Sequence, residues 1–378
     1  MAQYAQNPHS FFRTIVWQTP PSNILVVKKP WKDEVTHAAS VFIDHIHSSY
    51  PNCTVIVTED VAQELKENPG VLANSEPGVK HVLYTGTSEE IVSKTDLIVS
   101  LGGDGTVLRG VSLFSNTTVP PILSFSLGTL GFLLPFDFTD FKEAFKKVFE
   151  SRALMLHRER LECHVVKKSR FTNSDPQSLY KSDSDELTQI HAMNDIVLHR
   201  GSLPSLISLD VYVNGHFLTT TTADGLVCAT PTGSTAYSLS AGGSMVHPIV
   251  PCILLTPVCP RSLSFRPLIL PSISHIKVVV RSKDLAGHEC SAKLSIDGIP
   301  QLKLRAGDEI HVVSEAGSIL DPSWNLPSSL SLKKVPSTEN VKSGIWCVAR
   351  TRGDWVTGIN NLLGFNSGFK SINENLFH

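Results

Sequence analysis

The hydrophobic and polar residues up to about residue 151 follow two alternating patterns. Short apolar runs, many of them β-branched, predict strands at 24–27, 53–57, 96–101 and 121–126. Between them, apolar residues recur at helical spacing and predict helices at 35–47, 62–67, 107–114 and 138–149. Because strands alternate with helices, the region 23–151 is predicted to be an α/β domain built on a parallel sheet.

The region 152–343 has a different pattern. Short β-rich runs with turns between them predict strands at 160–166, 195–199, 207–213, 226–230, 276–281, 293–296 and 309–313. This second domain is therefore expected to be mostly β. Within it, the polar stretch 167–187 is rich in Ser and Asp, and we predict a loop that joins two strands.

The two ends of the chain differ in character. Residues 1–22 contain three prolines and are predicted to be irregular. Residues 344–378 contain a helical pattern at 355–363 and several large apolar residues. Such a segment is too apolar to stay in solvent, so we expect it to pack on a domain.

Composition excludes several classes of function. A chain of 378 residues is long enough for two domains, and 33 basic against 35 acidic residues leave no basic field for nucleic acid or for an anionic membrane. No apolar run approaches the length of a membrane span. The cysteine count, 7, is odd and no CxxC occurs, which argues against a disulfide framework or a zinc site. The acid-poor N-terminus before Asp33 could be a mitochondrial address or an untargeted tail.

The first chemical motif is the glycine-rich stretch Gly102, Gly103, Asp104, Gly105 and Thr106, between a predicted strand and a predicted helix. Glycines let the backbone approach a ligand, and the N–H groups at a helix start attract phosphate. A carboxylate there would repel phosphate unless it binds a hydroxyl or a metal. The alternative is a tight turn in which Asp104 caps its own helix.

Two further motifs lie in the predicted β domain. Asn194 and Asp195 stand directly before a strand, where an amide and a carboxylate could bind a vicinal diol, or could form an ordinary Asx turn. The run 222–243 gathers hydroxyls and glycines around Tyr237, which are the groups that bind a nucleobase and its ribose. A Ser/Thr/Gly-rich connector is the alternative interpretation of this run.

These three motifs, in this order, resemble the NAD kinase family over nearly the whole chain, from about residue 15 to 369. The GGDG stretch alone also occurs in phosphofructokinases and in lipid kinases of the diacylglycerol type, whereas the PTGSTAYSLSAGG run does not occur in the lipid kinases. Within the family, the segments 15–17, 28–31, 259–267 and 363–367 are most similar to fungal mitochondrial NADH kinases. The resemblance implies ATP-dependent phosphorylation of NAD(H) to NADP(H).

The resemblance also implies a Rossmann-like N-terminal domain and a β-sandwich-like C-terminal domain, with the C-terminal segment returning to the first. It further implies a homodimer or higher homo-oligomer. Asp104 would be catalytic, and the ATP phosphates would lie against Gly102, Gly103, Gly105, Thr106 and Arg109. The dinucleotide would be bound by Asn194, Asp195, Asp224, Ser234, Thr235, Ala236, Tyr237 and Ser240. No motif supplies a metal site directly, so Mg²⁺ is expected to arrive with ATP.

Two other functions stay open at the level of sequence. The chain could be an NAD(P)(H)-binding sensor without turnover, although the intact Asp104 argues against it. It could also be another kinase of the diacylglycerol kinase and phosphofructokinase superfamily, although a hydroxyl-rich loop does not suit a lipid chain. NADH and NAD⁺ differ at the nicotinamide ring, whereas the motifs serve the adenosine side and the phosphates.

Overall fold

A computed structural model describes residues 2–7, 10–67, 82–128, 131–168, 188–202, 204–282, 290–317 and 343–364. The chain divides into two compact units. The first comprises Met1–Leu113, Pro120–Leu156 and Trp346–His378, and the second comprises Phe114–Val119 and His157–Ile345. Residues 1–22 and the segment from Trp346 group with the first unit, and 114–119 groups with the second.

The described strands and helices are numbered in chain order. Strands β1 to β22 are Ala2–Gln6, Arg13–Trp17, Asn23–Lys28, Thr54–Ile56, Leu83–Tyr84, Leu97–Gly102, Ile122–Ser126, Phe136–Asp137, Leu154–Arg158, Leu161–Val166, His191–Ala192, Asp195–His199, Ile207–Val213, His216–Ala223, Gly225–Ala229, Cys252–Val258, Leu268–Pro271, Ile276–Val280, Ser291–Ile296, Ile299–Arg305, Glu309–Ser314 and Ile345–Ala349. Helices α1 to α7 are Asp33–Ser49, Glu59–Glu67, Ser88–Lys94, Asp104–Ser112, Phe141–Phe149, Tyr237–Ser240 and Asp354–Leu363. Short 3₁₀ turns lie at Phe138–Asp140 and Thr232–Thr235. No helix in these ranges is long and apolar enough to cross a bilayer.

The first unit is built on one mixed sheet. Its strands run in the order β1-β2-β9-β22-β7-β6-β3-β4-β5, with β8 added beside β7. The pairs from β7 through β6 and β3 to β4 are all parallel. Strands β6 and β7 are buried along their whole length, which is why their sequences are mostly apolar, with serine as the only polar residue. The carboxyl ends of β3, β6 and β7 therefore meet at one edge of the sheet.

The prediction that residues 1–22 are irregular is wrong for the described part of that segment. Strands β1 and β2 pair with each other, and β2 continues onto β9. Ile15 is fully buried, and the Trp17 indole N–H donates to the carbonyl of Val148 at 2.8 Å. The pairing of β2 with β9 and the Trp17 hydrogen bond join residues more than 130 positions apart, so no local pattern revealed them.

The second unit consists of two six-stranded sheets, β11-β10-β21-β18-β13-β14 and β17-β16-β15-β12-β19-β20. Every pair recorded in them is antiparallel, and the apolar faces of both sheets contribute to one core. The predicted fold class, an α/β domain followed by a mostly-β, sandwich-like domain, is confirmed. Residues 169–187 of the predicted polar loop lie outside the described residues. From residue 346 the chain belongs to the first unit, where Cys347 of β22 pairs with Ile122 of β7.

Candidate functional site

The glycine motif of the first unit forms the turn between β6 and α4. Gly102 has a φ of +148°, and a Cβ there would collide with the hydroxyl of Thr106. Gly103 and Gly105 face open space, so the turn presents bare backbone to any group that approaches it. The first N–H groups of α4 have no helical partner, and together with the helix dipole they favour an anion such as phosphate.

Asp104 does not cap its own helix; its side chain crosses to the turn that follows β7. Its Oδ2 accepts the N–H of Phe132 and its Oδ1 accepts the N–H of Leu133, both at 3.0 Å. A Cβ at Gly131 would overlap the Asp104 carboxylate, so only glycine permits this approach. Since a carboxylate has about four lone-pair positions, each oxygen can accept a further hydrogen bond. Asp104 is thus held in place and still able to bind a hydroxyl.

Arg109 lies on the exposed side of α4. Its Nη2 donates to Oδ2 of Asp60 at 2.5 Å, and both side chains are close to half exposed. In the free protein the guanidinium is therefore paired with a carboxylate. An exposed pair of this kind is weak, so an arriving phosphate could replace Asp60.

In the second unit, the segment 193–195 is fixed from two sides. The carboxylate of Asp297 accepts the backbone N–H groups of Met193, Asn194 and Asp195 at 2.8, 2.7 and 3.1 Å. On the other side, the N–H of Thr230 donates to the carbonyl of Asn194 at 2.9 Å. Asp297 belongs to a two-residue turn with Gly298, in which both residues have positive φ, as a type I′ hairpin requires.

The side chains of Asn194 and Asp195 are both buried. Oδ1 of Asn194 is buried without a hydrogen-bond partner, which a ligand donor would correct. Burial, and next the negative charge of Asp297, raise the pKa of Asp195 to about 7. Burial likewise raises the pKa of Asp297 to about 6, although its three backbone hydrogen bonds act in the opposite direction. The site therefore holds two carboxyl groups that ionise near neutrality.

Tyr237 lies on the exposed side of the loop that follows β15. Partial burial raises the pKa of its phenol, and Cys259, Asp224 and Asp195 contribute in the same direction. Asp224 and Asp195 therefore both lie within electrostatic range of the Tyr237 phenol. Asp224 also accepts the Nε–H of Arg200 at 2.5 Å.

Comparison with known proteins identifies both halves of the chain. Residues 24–153 match the model of the ATP-NAD kinase N-terminal domain, and residues 193–318 match that of the C-terminal domain. The chain belongs to the NAD kinase family. It is 51% identical over 372 residues to the mitochondrial NADH kinase POS5 of Saccharomyces cerevisiae, covering 98% of this chain and 86% of that protein. It is 37% identical to the mitochondrial NADH kinase pos5 of Schizosaccharomyces pombe, covering 95% and 79%.

Solved structures agree with this assignment. The crystal structure of yeast NADH kinase complexed with NADH matches with a TM-score of 0.80 and 50% identity, over 97% of this chain and 95% of that one. An NAD kinase from Archaeoglobus fulgidus, solved in complex with ATP, matches with a TM-score of 0.56 at 20% identity, over 90% and 97% of the two chains, which shows a common fold.

The remaining predicted residues of this NAD kinase differ in accessibility. Ser234 is fully buried, and its hydroxyl both donates to the carbonyl and accepts the N–H of Val246. The Thr235 hydroxyl donates to the carbonyl of Thr232, Ala236 is partly buried, and Ser240 is exposed. The geometry thus makes Ser234 a support for the loop, whereas Ser240 is open to solvent.

Three residues that fix the positions of the motifs are not among the predicted site residues. Asp297 lies outside the three motifs, and its carboxylate accepts hydrogen bonds from residues 102–104 positions earlier in the chain. Thr230 donates its hydroxyl to the carbonyl of Met193 at 2.6 Å and accepts the N–H of Gly233 at 3.0 Å. Gly131 also lies outside the three motifs, and the space that it leaves for the Asp104 carboxylate has no signal in the sequence.

Proposed function

We propose that this NAD kinase transfers the γ-phosphoryl group of ATP to the 2′-hydroxyl of the adenosine ribose of NADH or NAD⁺, giving NADPH or NADP⁺. The family match over both halves of the chain supports this reaction. The structural observation that carries it is Asp104, a hydrogen-bonded carboxylate with free lone pairs beside a phosphate-binding turn. Both curated NADH kinases described above are mitochondrial, and we assign this protein to the same compartment.

In this proposal Asp104 orients the acceptor hydroxyl. Its two backbone hydrogen bonds fix the carboxylate, so a hydroxyl that donates to the carboxylate is held in a fixed orientation. Phosphoryl transfer passes through a loose transition state, so the hydroxyl proton leaves late and a weak base suffices. Asp104 then accepts that proton as the new P–O bond forms and the bond to ADP breaks. The open amides of Gly103 and Gly105 would stabilise the charge on the phosphates.

The dinucleotide half of the proposal rests on Asn194 and Asp195. The unpartnered Oδ1 of Asn194 can accept a hydrogen bond from a ribose hydroxyl, and Asp195 can accept a second one. Tyr237 offers an exposed ring that could stack on a base, with Asp224 and Ser240 at the same loop. We keep Thr235 and Ala236 as lining residues of this site.

Magnesium is proposed as a companion of ATP. Among the described residues, no three His, Cys, Asp or Glu side chains form a metal-binding group. Mg²⁺ is commonly held by one or two carboxylates and the substrate phosphates, and it would supply charge neutralisation there. A homodimer or higher homo-oligomer is a further proposal, which light scattering on the purified protein would test.

The first test is formation of NADPH or NADP⁺ by the purified protein with Mg-ATP, comparing NADH with NAD⁺ over a range of concentrations. We expect turnover with both dinucleotides and a higher kcat/KM for NADH. A preference for NAD⁺ would leave the proposed reaction intact, but this protein would then differ from the NADH kinases in its preferred substrate. Tight dinucleotide binding without any product would contradict the proposal and favour a sensor.

A further inference from the structure

Trp31 has two properties that are rare for tryptophan. Its side chain is 85% exposed, and its backbone has a φ of +56°, in the left-handed region that bulky residues seldom adopt. It lies in the turn between β3 and α1. Burial does not stabilise a tryptophan at this position, and the backbone conformation is unfavourable for one. Strained, exposed residues that a structure holds in place are frequent at ligand sites.

The turn around Trp31 is held by a buried ion pair. Lys28 is almost fully buried, and its Nζ lies 2.5 Å from Oε1 of Glu64. The same carboxylate accepts the hydroxyl of Thr36 at 2.6 Å and the backbone N–H of Trp31. Burial opposes ionisation of Glu64, but these hydrogen bonds hold its pKa below the usual value. Lys28 thus has a structural role, and the turn it fixes presents Lys29 and Trp31 to solvent.

This turn borders the phosphate-binding turn. The N–H of Lys29 donates to the carbonyl of Leu101 at 3.0 Å, and a Cβ on Gly102 would stand 3.0 Å from the Cβ of Lys29. Asp104 bonds instead to the turn after β7, and β6 lies between β7 and β3 in the sheet. The acceptor hydroxyl at Asp104 and the turn at Trp31 are therefore on opposite flanks of the glycine turn.

We infer that Trp31 is a stacking platform for the adenine base of the phosphoryl donor, and that Lys29 contacts the donor phosphates. The inference rests on the proposed function, because it needs ATP at the glycine turn. A triphosphate that starts at Asp104 and crosses Gly103 and Gly105 brings its nucleoside to the β3 flank, which carries the turn of Lys29 and Trp31. The planar indole of Trp31 can stack on a base, whereas the ammonium group of Lys29 binds the phosphates.

Two variants separate these roles. Trp31→Asn removes the ring and inserts a residue that tolerates the left-handed conformation, so the turn is preserved. Trp31→Phe keeps an aromatic surface. We expect Trp31→Asn to raise the KM for ATP about tenfold, and Trp31→Phe to raise it less, with the KM for NADH unchanged in both.

Inorganic tripolyphosphate, used as a competitor of ATP, isolates the base. Its inhibition constant should be unchanged in Trp31→Asn, because it has no base, and should rise in Lys29→Ala together with the KM for ATP. ATP should also quench the tryptophan fluorescence of the wild type, and that change should disappear in Trp31→Phe. Phe11→Ala is the matched control, since Phe11 is 75% exposed and precedes β2, far from β3 in the strand order.

The outcomes distinguish this inference from the proposed function. If the wild type forms NADPH and Trp31→Asn retains its KM for ATP, the platform is overturned while the reaction stands. A KM for NADH that rises as much as that for ATP would also overturn it, because the indole would then serve the acceptor. If the wild type forms no product, the proposed function is contradicted. Quenching of the tryptophan fluorescence by ATP would in that case still show the contact between Trp31 and the base.

Discussion

The two units use the same arrangement in different surroundings. In the first, the carboxylate of Asp104 accepts two backbone N–H groups, and in the second, the carboxylate of Asp297 accepts three. Asp104 and Asp297 are both partly exposed, but Asp297 stands beside a second acid, the buried Asp195, and its carboxylate is used by three backbone donors rather than two. The carboxylate with two backbone donors keeps more lone pairs for a substrate hydroxyl, whereas the one with three mainly fixes the backbone of 193–195.

Glycines make both arrangements possible through close approach. A side chain at Gly131 would overlap the carboxylate of Asp104, and one at Gly233 would overlap the backbone of Asn194. In each unit the glycine lies in a different segment from the residue it accommodates. The comparison predicts that changes in the first unit affect the chemical step, and that changes in the second affect binding and stability.

The largest effect is expected for Asp104→Asn. The amide would place N–H donors against the N–H of Phe132 or Leu133, and it could no longer accept the substrate proton. We expect kcat to fall by about 10²–10⁴-fold while NADH still binds. Steady-state kinetics and a fluorescence titration with NADH measure the two quantities separately.

Gly131→Ala is the companion variant for the first unit. It leaves the carboxylate chemically intact but forces it out of its place. A smaller loss of kcat than in Asp104→Asn, with unchanged NADH binding, would support positioning of the carboxylate. Normal turnover in both variants would remove Asp104 from the mechanism.

The second unit is tested by Asp297→Asn. Asn suits the type I′ turn as well as Asp does, so the hairpin is retained and only the carboxylate is lost. The amide nitrogen would face one of the three backbone donors of 193–195, and this segment should shift. We expect the KM for NADH to rise about tenfold with a much smaller change in kcat.

The matched control for this variant is Asn214→Asp. Asn214 and Gly215 form the β13–β14 turn with the same positive φ values, and Oδ1 of Asn214 accepts the N–H of His275. A carboxylate can accept that bond equally well, so the kinetics should not change. A loss of kcat in Asp297→Asn with an unaltered KM for NADH would break the proposed division between the units.

The fold was predictable where its signals were local. The buried strands β3, β6 and β7 and the apolar face of α1 follow from short-range patterns. Strand β16 was not predicted, and it contains Pro257, a residue type that is disfavoured in a strand with neighbours on both sides. In the structure Pro257 pairs with Leu226 on one side and lies beyond the last pair with β17, where no N–H is needed.

The site was predictable only as a set of motifs. The GGDG turn, Asn194 and Asp195 contain the residue types that their proposed chemistry needs, so sequence reasoning found them. Asp297 lies outside these motifs, and its carboxylate bonds to the segment 193–195, more than 100 residues earlier in the chain. Trp31 was noticed only as part of a family-like segment, since exposure and φ exist only in three dimensions.

The smallest effect is expected in the pH dependence of stability. Burial raises the pKa of Asp195 from 3.8 to about 7, so the folded state holds a proton that the unfolded state has lost. The stabilisation from this group is therefore complete below about pH 4 and disappears as the pH rises through about 7. Between pH 5 and 8 we expect the wild type to lose about 2–3 kcal/mol in unfolding free energy from this cause.

Asp195→Asn removes this titration. It also removes the charged neighbour of Asp297, so the carboxyl group of Asp297 should ionise more readily. The variant should therefore lose less stability than the wild type over the same pH range, and its thermal midpoint should be about 2–4 °C higher at pH 8. Thermal unfolding of both proteins without ligand, at pH 5 and pH 8, measures the difference. Equal losses in the two proteins would mean that Asp195 is solvated in the free enzyme, and the contrast with Asp104 would then lie in position rather than in burial.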